Sequence, residues 1–453
     1  MASTYLTRTP SSNGNLDKWT LSVWVKRSKL QIGVSGAQYI ASAGTASLQN
    51  TVYFDVNDRL IIEYYNASVG NYYKKSNRYF RDTSAWYHIV AVWDTGNSTA
   101  EDRMRLYVNS ERLTSWQSSA DPGQDLDGFW NSTSYANYIG QLAGNTARFD
   151  GLMSHLHFID GTVYEPSTFG ETDSTTGEWK IKANPSGITY GTNGFFILKD
   201  SNSVTDQSGQ SNNFTVSSGT LTSTKDCPSN VYTTWNYLNR SVSSGLQGSG
   251  WQNGGTFIAT EAANNHRSFG STLAFPGTGK FYAEFKIGNL GGAAVIGIME
   301  SEEANSLLAQ TNTGSFSDNS SGWGYKNNGY KENGGSSTTY GESFVNYSYL
   351  MLAYNNGALW FGKDGTWANS ATATEIANAT TGNAAYSGLD TSKDYHIMFR
   401  GYNDSMIELN AGNGHFRTTT DGSNNPSTGD TGALFKYAVP TGLQSISTKG
   451  FNA

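Results

Sequence analysis

Apolar and polar residues alternate with a period of two in short runs along most of the chain, a pattern that predicts half-buried β-strands. In WTLSVWVKR, Trp19, Leu21, Val23 and Val25 fall on one face and Thr20, Ser22, Trp24 and Lys26 on the other. The run WYHIVAVWD, from Trp86 to Asp94, is apolar on both faces, as expected of a central strand covered on each side. MRLYVN and GLMSHLHFIDG complete the strands of the first half. In the second half KFYAEFKIG sets Phe281, Ala283, Phe285 and Ile287 against Tyr282, Glu284 and Lys286, and VIGIM, LMLAY, ALWFG, YHIMFRG and MIELN follow. Asn356-Gly357 stands where a tight hairpin turn needs positive φ. No long run has helical periodicity. The predicted fold is all-β, two antiparallel, jelly-roll-like β-sandwiches in tandem, with no internal repeat relating them.

The polar stretch from Asp200 to about Gly255, rich in Ser, Thr, Asn and Gly, reads as the connection between the sandwiches. Its aromatic residues Phe214, Tyr232, Trp235 and Tyr237 imply that it packs over a surface. The expected organisation is therefore a sandwich over 1–200, a packed linker over 201–255 and a second sandwich over 256–453.

Composition narrows the function classes. The 453 residues carry 30 basic and 37 acidic side chains, a net charge of −7, which argues against a nucleic-acid partner. Cys227 is the single cysteine, so no intrachain disulfide and no cysteine-based metal site is expected. The first fifteen residues lack a charged segment followed by an apolar run, and no apolar stretch approaches the ~18 residues of a membrane span. Neither a secretory signal nor membrane insertion is expected.

The order of these strands carries a resemblance. WTLSVWVKRS, DTSAWYHIVAVWDTGN with RMRLYVNSERL, and YIGQLAGNTARFDGLMSHLHFIDG resemble the laminin-G and concanavalin-like jelly-roll family across roughly residues 3–200. GKFYAEFKIG, VIGIM, GWGYKNNGYK and LMLAYNNGALWFGKDGTW resemble a SPRY-type sandwich across about 256–440. Together with DQSGQSNNFTV and FKYAVPTGLQSIST they resemble tail-fibre-like or decoration proteins of marine bacteriophages, including those of cyanobacteria. The resemblance implies a non-enzymatic virion protein on the particle surface, on tail or capsid, that contacts other virion proteins and a host receptor or glycan. It also implies a homo-oligomer, a trimer ahead of a dimer. An early first strand and the absence of coiled-coil heptads fit a compact knob or capsid ornament, and equally a short tail appendage held by side-on contacts, better than a slender fibre.

The rival reading is a polysaccharide-degrading glycoside hydrolase or lyase. Retaining hydrolysis needs two carboxylates about 5 Å apart, and a Glu-x-Asp-x-x-Glu strand supplies them. Glu171-Thr172-Asp173 comes nearest, but Thr176 occupies the place of the second glutamate in a turn-like ETDSTTGE. His155 and His157 have the spacing of a metal pair on a strand. They also have the spacing of half-buried strand residues sharing a face with Met153 and Ile159, and no acidic third ligand stands nearby. No cofactor is expected. Weak calcium candidates are Asp200, Asn202 and Asp206 in one loop and Asp121, Asp125 and Asp127 in another, without EF-hand spacing.

Two aromatic clusters are candidate contact surfaces. Tyr64, Tyr65, Tyr72 and Tyr73 lie beside Lys74 and Lys75, and Trp323, Tyr325 and Tyr330 lie among Gly322, Gly324 and Gly329, which suggest a loop. Tyrosine suits both subunit interfaces and sugar rings. Subunit contact ranks ahead of sugar binding for both clusters, and half of these rings are expected to face the core.

Overall fold

The fold is known from a computed structural model, which describes residues 4–30, 36–182, 185–199, 203–240, 250–260, 266–308, 315–416, 419–420, 425–426 and 432–452. It is almost entirely antiparallel β, with two short α-helices among the described residues, α1 (Ser301–Leu308) and α2 (Ala373–Ala377). Neither is long and apolar enough to cross a membrane. The chain divides into two compact units, Met1–Ser223 and Thr224–Ala453.

In the first unit the strands are β1 (Tyr5–Arg8), β2 (Lys18–Arg27), β3 (Gln38–Gly44), β4 (Leu48–Phe54), β5 (Arg59–Asn66) and β6 (Gly70–Tyr79). Then come β7 (Trp86–Asp94), β8 (Met104–Val108), β9 (Glu111–Arg112), β10 (Trp116–Ala120), β11 (Ala136–Ile139) and β12 (Gly151–Asp160). β13 (Gly170–Thr172), β14 (Trp179–Ile181), β15 (Phe195–Ile197) and β16 (Thr215–Ser218) complete it. One eight-stranded sheet runs β10-β6-β5-β4-β3-β11-β1-β16, and a six-stranded sheet runs β15-β12-β2-β7-β8-β9.

The core between them follows the alternation of the sequence. Trp19, Leu21, Val23 and Val25 of β2 and Tyr87, Ile89, Ala91 and Trp93 of β7 meet Val52, Phe54, Leu60, Ile62 and Tyr64 of the other sheet. Trp93 stacks on Trp19 at 6.5 Å and on Tyr64 at 5.6 Å. At the edge of this core Arg27 is sealed from solvent. Its Nη2 pairs with Asp58 at 2.8 Å, its Nη1 donates to the Phe80 carbonyl and its Nε to Gln38 Oε1.

The far side of the six-stranded sheet is covered by the segment after β12. There Val90, Val92, Tyr107, Ile159 and Phe169 form a second cluster, with Val163, Tyr164, Ile188 and Tyr190 packed on it. The strand containing the two histidines departs from simple alternation. His155 has φ +48° and the β12–β2 register slips between Ser154 and His157. Met153 therefore packs toward the main core while Ile159 belongs to the outer cluster, so the shared face expected for Met153, His155, His157 and Ile159 does not form.

The second unit has two seven-stranded sheets. One contains Trp235–Arg240, His266–Pro276, Asp394–Tyr402, Val295–Glu300 and Gly322–Lys326; the other contains Lys280–Asn289, Tyr349–Asn355 and Ala358–Lys363. Trp235 bridges their inner faces, lying 6.3 Å from Phe285 and 6.1 Å from Phe399. The Asn356-Gly357 turn has both residues at positive φ, +45° and +85°, as its hairpin requires. The residues expected to form a linker divide between the units: Phe214 enters the first core and β16 pairs with β1, while Trp235–Arg240 is an edge strand of the second unit.

Candidate functional site

The outer face of the eight-stranded sheet gathers chemistry in cross-strand rows. Pairing register places Tyr138 of β11, Ser42 of β3, Thr51 of β4, Glu63 of β5 and Tyr73 of β6 in one line. A flanking row runs Tyr39, Tyr53, Ile61, Lys75, and on the other side Gly44, Gln49, Tyr65, Asn71. The cause is alternation. Val52 and Phe54 in β4, Leu60, Ile62 and Tyr64 in β5, and Tyr72 in β6 turn inward, which sends their neighbours outward.

Tyr39, Tyr53, Glu63, Tyr65, Tyr73, Lys75 and Tyr138 are all half-buried, each presenting part of its side chain to solvent. Tyr39 and Tyr53 stack at 4.6 Å with 19° between ring planes. The Tyr53 hydroxyl donates to Glu63 Oε2 at 3.1 Å. Burial, and secondarily the Glu63 charge, pushes the Tyr39 hydroxyl up to about 12 and raises Tyr53 further, so both remain neutral donors. The floor between the rings is polar: Gln49 Oε1 and Thr51 Oγ1 are buried and have no hydrogen-bond partner among the described residues. Asp55, beyond the end of β4, accepts the Asn57 and Arg59 amides on Oδ1 and pairs with Lys75 at 3.3 Å through Oδ2.

The structure separates the tyrosines that the sequence put together. Tyr64 is 2% exposed and stacks on Trp93 and Phe129, and Tyr72 packs beside it, so both serve the core. Tyr65 and Tyr73 point outward. In the second unit the glycine-rich stretch is a strand, Gly322–Lys326, not a loop. Its Tyr325 is fully buried, stacked on Phe361 at 5.3 Å, so it is closed to a partner or ligand. Trp323 is half-buried against Tyr395, and Tyr330 is 39% exposed. Tyr39, Tyr53, Glu63 and Tyr138 were missed in the sequence. The available signal was the parity of Glu63 with Tyr65 and its pairing across a hairpin with the strand containing Tyr53.

The other candidate groups are accounted for locally. Glu171 and Asp173 sit on the β13–β14 hairpin, both beside Lys180, at 3.6 and 3.1 Å. Amides of Thr176 and Thr175, then Lys180, hold the Asp173 carboxyl low. Asp206 spends its oxygens on the amides of Phe196, Ser208 and Asn212 and the Ser208 hydroxyl. Asp200 and Asn202 lie outside the described residues. Asp121 pairs with Lys74 at 2.8 Å. No group of three or more His, Cys, Asp or Glu among the described residues is placed to hold a metal ion.

Two buried titratable centres have structural partners. His88, stacked on Trp24 at 4.8 Å, accepts from Trp179 Nε1 and meets the Ser22 hydroxyl. In the second unit Glu284 accepts four hydrogen bonds. Tyr282 Oη and the Tyr437 amide reach Oε1, and Asn410 Nδ2 and the Lys436 amide reach Oε2, over 2.8–3.2 Å. Burial raises its pKa to about 7 despite those donors.

Residues 2–167 match the family model Laminin_G_3, described as the concanavalin A-like lectin/glucanases superfamily. No curated protein matches the chain. Similar solved structures include domains LG4-5 of the mouse laminin alpha1 chain, at 9% identity over 89% of this chain and 79% of that one, TM-score 0.28. A SAP-like pentraxin from Limulus polyphemus is similar at 17% identity, covering 36% of this chain and 71% of that one, TM-score 0.26. The SPRY domain of human HERC1 is similar at 12% identity, over 34% of this chain and 87% of that one, TM-score 0.26.

Proposed function

We propose that this protein is a non-enzymatic surface module of a virion that contacts a host-surface glycan through the outer face of the first unit's eight-stranded sheet. The observation that carries the reading is the placement of Glu63 next to Tyr73 in one cross-strand row, with Tyr53 and Tyr65 in the rows on either side, half-exposed over a polar floor. Flat aromatic rings pack against the C–H faces of sugars while a carboxylate and phenolic hydroxyls take up sugar hydroxyls. The virion setting rests on the order of sequence motifs in both halves. The second unit, with Tyr330, Val345 and Tyr347 exposed, supplies contacts to other virion proteins or to further copies of the chain.

Glycosidic cleavage is the weaker reading. Asp55 is the second carboxylate at this face, and it lies opposite Arg59, four residues along the strand from Glu63, a Cα offset of about 13 Å. Its oxygens are committed to a turn and to Lys75. Retention needs carboxyl groups about 5 Å apart and inversion about 6.5–9.5 Å.

Isothermal titration of the full chain with a panel of oligosaccharides tests the proposal. Binding that falls at least tenfold in Tyr53→Ala and Tyr73→Ala, with no release of reducing ends, is expected. Binding unaffected by either substitution, or reducing ends whose release is abolished by Glu63→Gln, would overturn it.

A further inference from the structure

We infer that Glu63 makes the tyrosine face selective for uncharged glycans over uronate-containing or sulfated ones; this rests on the glycan reading above. The cations nearest Glu63 are taken up by other groups of the protein: Arg59, on the same face, donates to the Ser76 and Asn77 carbonyls and to the Tyr79 hydroxyl. Lys75 is held by Asp55 at 3.3 Å. Lys74 turns to the other side of β6, where it pairs with Asp121 at 2.8 Å and donates to the Glu101 carbonyl. Glu63 has no ion pair among the described residues, and its one protein hydrogen bond there comes from the neutral Tyr53 hydroxyl.

The Gln49 amide oxygen beside Glu63 likewise only accepts. Gln49 is 9% exposed and Thr51 1%, they share this face with Glu63, and Gln49 Oε1 and Thr51 Oγ1 have no protein partner among the described residues. An amide oxygen and a carboxylate accept hydrogen bonds and cannot donate them. Such a floor is completed by hydroxyl donors, which a neutral sugar offers on every ring. A carboxylate or sulfate would bring acceptors to the Gln49 oxygen and a like charge to Glu63, while Lys75 is paired with Asp55 and Arg59 is committed to the Ser76 and Asn77 carbonyls and the Tyr79 hydroxyl. Glu63 is thus the specificity-determining residue, and the rings on either side provide affinity for either class of sugar.

The test measures affinities of the full chain, as wild type and as Glu63→Gln, for two sets of probes. The neutral set is unsulfated gluco-, manno- and galacto-hexaoses; the anionic set is oligogalacturonate and sulfated dextran fragments. The Glu63→Gln variant keeps an oxygen for the Tyr53 hydroxyl, so folding is retained and is checked by circular dichroism. Wild type is expected to bind a neutral probe at least tenfold more tightly than any anionic one, and Glu63→Gln to shrink that ratio to about threefold or less. Preference for an anionic probe, or a ratio unchanged in Glu63→Gln, overturns the selectivity while leaving the glycan reading standing. Failure of wild type to bind any probe, or binding insensitive to Tyr53→Ala, overturns both.

Discussion

Trp179 Nε1 donates a 3.0 Å hydrogen bond to His88 Nδ1, and an indole can only donate, so His88 carries its proton on Nε2, which faces the Ser22 hydroxyl at 2.9 Å. Protonating Nδ1 would set donor against donor inside a stack of aromatic rings. Burial accordingly lowers the His88 pKa from 6.5 to about 3, and burial lowers His157 in the same direction. A histidine depressed in the fold binds protons more readily when unfolded, so its contribution to stability is complete above pH 6.5 and declines as pH falls toward 3. Thermal unfolding of the first unit should shift to lower temperature between about pH 7.5 and about pH 4.5, with a slope of up to about 1.4 kcal/mol per pH unit for each such group. His88→Gln, which keeps an acceptor for Trp179, should flatten that slope. An unchanged slope in the variant would remove His88 as its source.

Glu284 should act in the opposite sense in the second unit. Its folded pKa of about 7 lies above the ordinary 4.5, so the unit loses stability as pH rises between those values. The same carboxylate clamps the Lys436 and Tyr437 amides. Glu284→Gln turns an NH2 group toward those donors and should cost about 1–3 kcal/mol. Hydrogen exchange should accelerate at the Lys436 and Tyr437 amides. Protection equal to wild type would show that the clamp does not hold this segment.

Arg27 and Asp58 form an ion pair with both side chains sealed from solvent. Removing one partner strands the other, so Asp58→Asn should destabilise the first unit by about 3–5 kcal/mol in chemical denaturation. A loss below about 1 kcal/mol would mean that the pair is exposed in solution.

Adjacent tyrosines should respond in opposite ways. Tyr64→Ala opens a cavity beside Trp93 and Phe129 and should cost about 3–5 kcal/mol. Tyr65→Ala removes an outward ring and should change stability by less than about 1 kcal/mol while weakening glycan binding. Equal stability losses would contradict the assigned faces.

That pair also marks what the sequence could and could not convey. The alternation of β2 and the doubly apolar β7 were legible because each residue type matches its face: Leu21 and Val23 inward, Thr20 and Ser22 outward. Tyr64 and Tyr65 are identical neighbours, so type cannot assign the face, and only pairing with β4 does. Gly322 and Gly324 suggested a loop, yet Gly324 is a strand residue where a Cβ would lie 2.6 Å from Val295 Cγ1. There glycine answers a close approach of packed chains instead of a turn. The kink at His155 is invisible to a period-two count because one residue at positive φ reverses the parity of all that follow. The Glu63 row was hidden for a related reason: its members come from five strands between Ser42 and Tyr138, and register alone aligns them.

The measurement that tests the glycan-contact claim most directly is amide chemical-shift mapping of the full, isotopically labelled chain titrated with the tightest-binding neutral hexaose. The expected result is saturable shifts at Ser42, Thr51, Glu63, Tyr73 and Tyr138, along one line across β11, β3, β4, β5 and β6. Shifts confined to the second unit, or to the covered far side of the six-stranded sheet around His88 and Phe169, would contradict it.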